Sequence, residues 1–224
     1  MYKDTWYKMP LNVNLSVPMI ERENVTDELR IICDLLKKNL EEKYFFSCGT
    51  ALGIVRDKKL IDWDTDIDID IINPSESEIS ALISNMLNLG YTFYRKLQRN
   101  NRMLQLVFVK EPYHSIDFVF WYYEKDYLIN DVPELTFLKR IHKTQLYNEF
   151  KFIKWNGLDI RIPKQHDQYF KCLYGEYWTK PKKYSLWISN AYDLKIDFYL
   201  LRVLLKISWK IESIIKKIIN KLFR

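Results

Sequence analysis

The twelve residues IDWDTDIDIDII, positions 61–72, set the strongest limit on what this chain can fold into. Aspartate recurs at every second position, as Asp64, Asp66, Asp68 and Asp70, with Thr65, Ile67 and Ile69 between them. Period-two alternation with β-branched filling predicts a strand that is apolar on one face and acidic on the other. Residues on one face repeat at roughly 6.5–7 Å, so Asp66 and Asp68 are expected to project together while Ile67 and Ile69 face a core. Carboxylates this close raise one another's pKa or take up a cation. Mg²⁺ suits them, because it needs only one or two carboxylates and completes its shell with water and phosphate oxygens.

The same alternation would suit an acidic edge strand that resists edge-to-edge pairing. A calcium loop of the EF-hand type also begins D-x-D-x-D, but it needs Gly at its sixth position and Glu at its twelfth. Counting from Asp64 gives Ile69 and Ser75, and counting from Asp66 gives Ile71 and Ser77, so neither register fits. The preceding residues point toward phosphate instead. In SCGTALGIVRDKKLIDWDTDIDI, a Gly49-Thr50 turn and Arg56 stand shortly before the acidic strand. Backbone N–H groups, a hydroxyl and a guanidinium could there hold a phosphate that the cation also touches.

The rest of the chain supplies a frame for this strand. Val25, Leu29, Ile32, Cys33, Leu36 and Leu40 have helical spacing over 24–43, with Asn24 or Thr26 as N-cap. YFFSC (44–48) reads as a strand and ALGIVR as a short helix. After Asn73-Pro74, SESEISALISNMLNLG predicts a capped helix closed by Gly90. YTFYRKL, MLQLVFVK and SIDFVFWYY are further strands, and 124–150 carries no clear pattern. FKFIKWNGLDIRI predicts a hairpin turning at Asn156-Gly157, and Pro163 is expected to open a helix through HDQYFKCLY that Gly175 closes. The order of elements predicts an α+β fold with a mixed β-sheet flanked by helices. A single domain over 1–192 is expected, followed by a C-terminal helical extension over 193–224.

Charge narrows the partners. The formal charge is +6, but residues 193–224 hold eight Lys/Arg and three Asp/Glu, a net of +5, which leaves +1 for the body. A globally basic groove for nucleic acid is therefore not favoured. Cys33, Cys48 and Cys172 lack zinc or disulfide spacing, and the N-terminus lacks the apolar core of a signal peptide. No uncharged run is long enough to span a membrane, so a cytoplasmic protein is expected. His114, His142 and His166 have no metal-site spacing, and Tyr174 and Trp178 are expected to pack.

The run CGTALGIVR followed by IDWDTDIDI resembles the LicD/fukutin family of the polymerase-β-like nucleotidyltransferase superfamily. SIDFVFW is similar to that family's third acidic strand, and LYGEYWTKP to its late Tyr-Gly segment. The resemblance implies a nucleotidyltransferase-like fold and a transferase that moves a phospho-alcohol, such as phosphocholine or an alditol phosphate, from a CDP-linked alcohol donor. The acceptor would be a hydroxyl of a cell-surface glycan, as in lipopolysaccharide or capsule, or of its lipid-linked precursor, and CMP would leave. In that frame Asp66, Asp68 and Asp117 are catalytic. Asp64 joins them as metal ligands for Mg²⁺, or Mn²⁺ in its place, while Gly49, Thr50 and Arg56 bind phosphate. Asp70 is expected to lie past the site. Asp62 stands where the family usually has proline and adds a charge beside the site, and Asp57-Lys58-Lys59 replaces the family's usual His-Lys-Gly-like loop, so a substrate contact made there in relatives is not carried over.

From Leu200 to Leu222 apolar residues form one stripe, with Lys206, Lys210, Lys216, Lys217, Lys221 and Arg224 mostly off it. This predicts a basic amphipathic helix. It would make peripheral contact with the cytoplasmic face of a membrane, or pack on its own domain or on a second copy. The residues also allow three further functions. The same carboxylates could place NMP on a protein, small molecule or RNA, or a D-x-D could hold a nucleotide sugar through Mn²⁺. A chain that had lost catalysis could serve as a membrane-associated scaffold.

Overall fold

The computed structural model describes residues 5–8, 24–99, 101–110, 114–125, 127–130, 140–142 and 149–181. The helix expected at 193–224 and the boundary at residue 192 lie outside them.

The described residues form a mixed sheet with helices against it, the α+β architecture the pattern predicts. Its strands are β1 (Thr5–Lys8), β2 (Tyr44–Phe46), β3 (Ile67–Ile72), β4 (Thr92–Arg99), β5 (Arg102–Lys110) and β6 (His114–Glu124), arranged β1-β4-β5-β6-β3-β2. Two short strands, β7 (Tyr127–Ile129) and β8 (Arg140–His142), extend it from the end of β6. Among the described strands only β3 and β6 run parallel; every other pair is antiparallel. Parallel neighbours need a long crossover, and here it is α3 (Glu76–Asn88) together with the β4–β5 hairpin.

Local chemistry accounts for most boundaries. Helix α1 (Val25–Leu40) buries Leu29, Ile32, Leu36 and Leu40, and Asn24 at its N-cap takes φ 61°. Helix α3 begins with a full capping box, in which Ser75 Oγ accepts from Glu78 N–H and the Glu78 carboxylate accepts from Ser75 N–H. A separate hairpin, β9 (Phe150–Trp155) and β10 (Leu158–Pro163), turns at Asn156 and Gly157, both at positive φ as a type I′ turn requires. Phe45 of β2 joins it to the core, 5.3 Å from the Phe150 ring and 6.2 Å edge-on from Tyr169 of α4 (His166–Tyr174).

Three boundaries differ from the sequence pattern. β3 begins at Ile67 rather than Asp64, because pairing with β6 starts at Ile67 opposite Ile116. Asp64 and Asp66 therefore lie in the approach to the strand. Gly49 and Thr50 are not a turn but the first turn of helix α2 (Cys48–Arg56). Pro163 ends β10 instead of opening α4, with Lys164 N–H donating to Glu149 O.

Candidate active site

Strand β3 divides its side chains by parity. Ile67, Ile69 and Ile71 are buried in the apolar core, while Asp68 and Asp70 turn toward α2. Helix α2 meets them with its N-terminus, where the backbone N–H groups have no partner within the helix. Gly49 N–H donates to Asp68 Oδ2 at 3.1 Å, and Thr50 Oγ1 accepts from Asp68 N–H at 2.9 Å. Two consecutive residues of α2 thus hold both ends of Asp68. Thr50 is itself buried.

Asp70 lies one step deeper and belongs to the support of the site. It is 3 % exposed, accepting from Ser47 Oγ at 2.8 Å and from Trp121 Nε1 at 2.8 Å. Ser47 is the N-cap of α2 but makes no side-chain cap bond, its hydroxyl being directed to Asp70. The next residue, Cys48, starts the helix at φ 50°, a left-handed conformation that costs a β-carbon residue about 1–3 kcal/mol. Tyr169 Oη accepts from Cys48 N–H at 3.1 Å and steadies this corner.

Asp64, Asp66 and Asp68 converge, each offering an oxygen within 4.8 Å of the others. Gly49 makes room for them: a β-carbon there would lie 2.1 Å from Asp64 Oδ2. Burial drives the Asp68 pKa well above the usual carboxylate range, with Asp66, Asp64, Asp117 and Asp70 adding to the effect in that order. The donor set is carboxylate oxygen throughout, which fits a hard divalent cation. Asp117 is not part of the converging group. It stands on β6 directly opposite Asp68 in the parallel register and accepts from Gln105 Nε2 at 3.0 Å. Arg95 Nη2 lies 3.6 Å from the same Asp117 oxygen.

Arg56 is braced rather than open. Its Nε and Nη2 grip both oxygens of Asp57 at 2.8 and 2.6 Å, its Nη1 approaches Trp178 O at 3.5 Å, and its side chain is 8 % exposed. Tyr174, which the spacing treats only as a packing residue, stands in the field of the site. Burial lifts its hydroxyl pKa well above the usual value, Cys48, Asp68 and Asp64 add to this, and Arg56 opposes it. Arg95, Gln105, Ser47 and Trp121 carry no signal of a site in the sequence. The family resemblance marks Asp117, but only strand register reveals which neighbours meet it.

The family model described as LicD/FKTN/FKRP, nucleotidyltransferase domain, matches residues 41–165, more than half of the chain. The chain belongs to the LicD/FKTN/FKRP family. Its family domain contains every aspartate of the site, Gly49, Thr50, Arg56, Arg95 and Gln105, while Tyr174 and Trp178 lie just beyond. Among LicD-family relatives, the ribitol-5-phosphate transferase FKTN of Macaca fascicularis is 24% identical over 190 residues, 83% of this chain and 40% of that protein. The mouse protein of the same name is 26% identical over 174 residues, 77% of this chain and 37% of its own. An uncharacterised Rickettsia typhi protein is 23% identical over 209 residues, 87% of this chain and 63% of its own. The chain therefore spans about 40% of the length of the fukutins it matches. The lincomycin-bound lincosamide antibiotic adenylyltransferase LnuA aligns with a TM-score of 0.44 at 17% identity, over 63% of this chain and 82% of that one. No helix among the described residues is long and apolar enough to cross a membrane.

Proposed function

We propose that this LicD-family chain is a cation-dependent transferase that moves a phospho-alcohol from a CDP-activated donor to a hydroxyl of a glycan or its lipid-linked precursor, releasing CMP. The observation that carries the reading is the convergence of Asp64, Asp66 and Asp68 within 4.8 Å, with Asp117 paired to Asp68 from the neighbouring strand. The relatives' name, ribitol-5-phosphate transferase, favours an alditol phosphate as the group moved.

Asp64, Asp66 and Asp68 would hold Mg²⁺ or Mn²⁺, which supplies charge neutralisation to a diphosphate. The acceptor oxygen forms a bond to the phosphorus bearing the alcohol, and the bond from that phosphorus to the bridging oxygen of CMP breaks. Asp117 takes the proton of the attacking hydroxyl and passes it to solvent. Gly49 N–H and Thr50 Oγ1 keep Asp68 at its post throughout, so the ligand set need not reorganise when substrate arrives. Arg56, with Asp57 and the Trp178 carbonyl, fixes the end of α2 against the 174–178 segment.

Thermal unfolding of the wild type and Asp66→Asn with CDP-ribitol, CDP-glycerol, CDP-choline, ATP and UDP-sugars, each with and without Mg²⁺, tests this. A ligand that binds only the native state raises its melting temperature. The expected result is Mg²⁺-dependent stabilisation by one CDP-alcohol, lost in the variant, followed by CMP release when a glycan acceptor is supplied. Stabilisation by ATP alone would replace the reading with nucleotidyl transfer, and no response to any nucleotide would replace it with a binding role.

A further inference from the structure

The register of the sheet puts a cation on the same face as the acidic cluster. Asp68 pairs with Asp117, Asp117 with Val107, and Val107 with Arg95, so one row of residues crosses β3, β6, β5 and β4. Residues paired in this way share a face, and adjacent strands are about 4.8 Å apart. The Arg95 backbone thus stands about 10 Å from that of Asp117 and about 14 Å from that of Asp68.

Arg95 is incompletely engaged. Its Nη2 is 3.6 Å from Asp117 Oδ2, beyond direct hydrogen-bond range. Its Nε is buried and has no hydrogen-bond partner among the described residues. Nε and Nη2 form the edge with which a guanidinium grips an oxyanion in bidentate fashion, and on that edge Nε makes no hydrogen bond while Nη2 makes only the 3.6 Å ion pair with Asp117. Asp117 does not depend on it, because Gln105 already donates to the same oxygen at 3.0 Å. The side chain is 36 % exposed, so part of it is open to solvent. The surrounding β4–β5 hairpin reinforces the charge: residues 92–110 contain Arg95, Lys96, Arg99, Arg102 and Lys110 and no Asp or Glu.

We propose that Arg95 is the phosphate-binding residue on the substrate side of this site, leaving Asp117 to the care of Gln105 and taking a substrate phosphate on its Nε–Nη2 edge. The proposal rests on the transferase reading. The phosphate is either the diphosphate of the donor or a phosphate carried by the acceptor.

Calorimetric titration of the full chain, as wild type, Arg95→Gln and Arg95→Lys, separates these. Mg²⁺ is titrated first, then CDP at saturating Mg²⁺, then inorganic phosphate with Mg²⁺ and CDP both saturating. Arg95→Gln is expected to bind Mg²⁺ as tightly as the wild type or more tightly, since it removes a positive charge near the carboxylates. It should lose about 10- to 100-fold in affinity for one of the two anions, as loss of a charged hydrogen-bonding partner does. Arg95→Lys should recover only part, because an ammonium lacks the planar fork. Weakened CDP binding assigns Arg95 to the donor, and weakened phosphate binding with CDP unchanged assigns it to the acceptor. If wild type and Arg95→Gln bind both anions equally, or if the variant loses Mg²⁺ affinity as well, the proposal is wrong and the transferase reading stands. If the wild type binds neither anion with Mg²⁺ present, both fall together.

Discussion

In the absence of a divalent cation, ionising Asp68 disfavours the folded state, because burial and four neighbouring carboxylates all favour its neutral form. Its folded pKa stands above the unfolded value near 3.8, so its contribution to stability is fully present below that value and is lost as pH rises through the folded pKa. Without divalent cation, the wild type should therefore lose stability more steeply than Asp68→Asn as pH rises above about 4. At neutral pH in a chelator the variant should melt at a higher temperature than the wild type. Added Mg²⁺ should reverse the order, and thermal unfolding across pH with and without the cation checks both halves. Gly49 makes a different prediction. A β-carbon there meets the end of the Asp64 side chain, which can turn aside, so Gly49→Ala should fold normally. It should nonetheless bind Mn²⁺ about 10- to 100-fold more weakly by calorimetry, as changes that reorient a metal ligand do.

Helix α2 shows the same residue type at work on stability. A β-carbon on Gly53 would lie 2.7 Å from Lys59 O and 2.9 Å from Ile61 N, both backbone atoms of the loop that carries the chain toward Asp64. Neither can yield without moving that loop, and Gly53→Ala should cost about 1–3 kcal/mol by urea unfolding, the usual penalty of overpacking. The sequence pattern makes α1, α3 and the Asn156-Gly157 hairpin legible because their signals are local: a 3.6-residue stripe, a capping box, a turn dipeptide. It misplaces the start of α2, because two glycines in nine residues argue against a helix, whereas their purpose is close approach to Asp64 and to Lys59. It misses β1, β7 and β8, each only three or four residues long and too short to show a period. It marks Asp66 and Asp68, and the family resemblance adds Asp117, but neither points to Arg95 or Gln105. Arg95 comes into line with Asp117 only after a shift in the β4–β5 ladder at Phe93/Arg95, and Gln105 stands one same-face step along β5 from Val107, the residue paired with Asp117; no periodicity encodes either pairing.

Across the whole sheet, order and exposure set a gradient of stability. Strand β3 is paired on both sides and all but one of its residues are buried, whereas β4 is irregular in register and mostly half-exposed. Hydrogen exchange should follow this, with amides of 67–72 and 116–121 outlasting those of 92–99; faster exchange in β3 than in β4 would contradict the topology. The acidic end of the site therefore sits in a firm part of the described sheet and the basic hairpin in a looser one. Both hydrogen bonds that α2 makes to Asp68 come from within the stretch Ser47–Asp70, while Asp117 and Arg95 arrive on strands supplied later in the chain. The three converging carboxylates and the helix that holds Asp68 are consequently encoded as one short contiguous block, whereas the proton acceptor of the proposed reaction and the arginine proposed to meet phosphate are encoded apart from it.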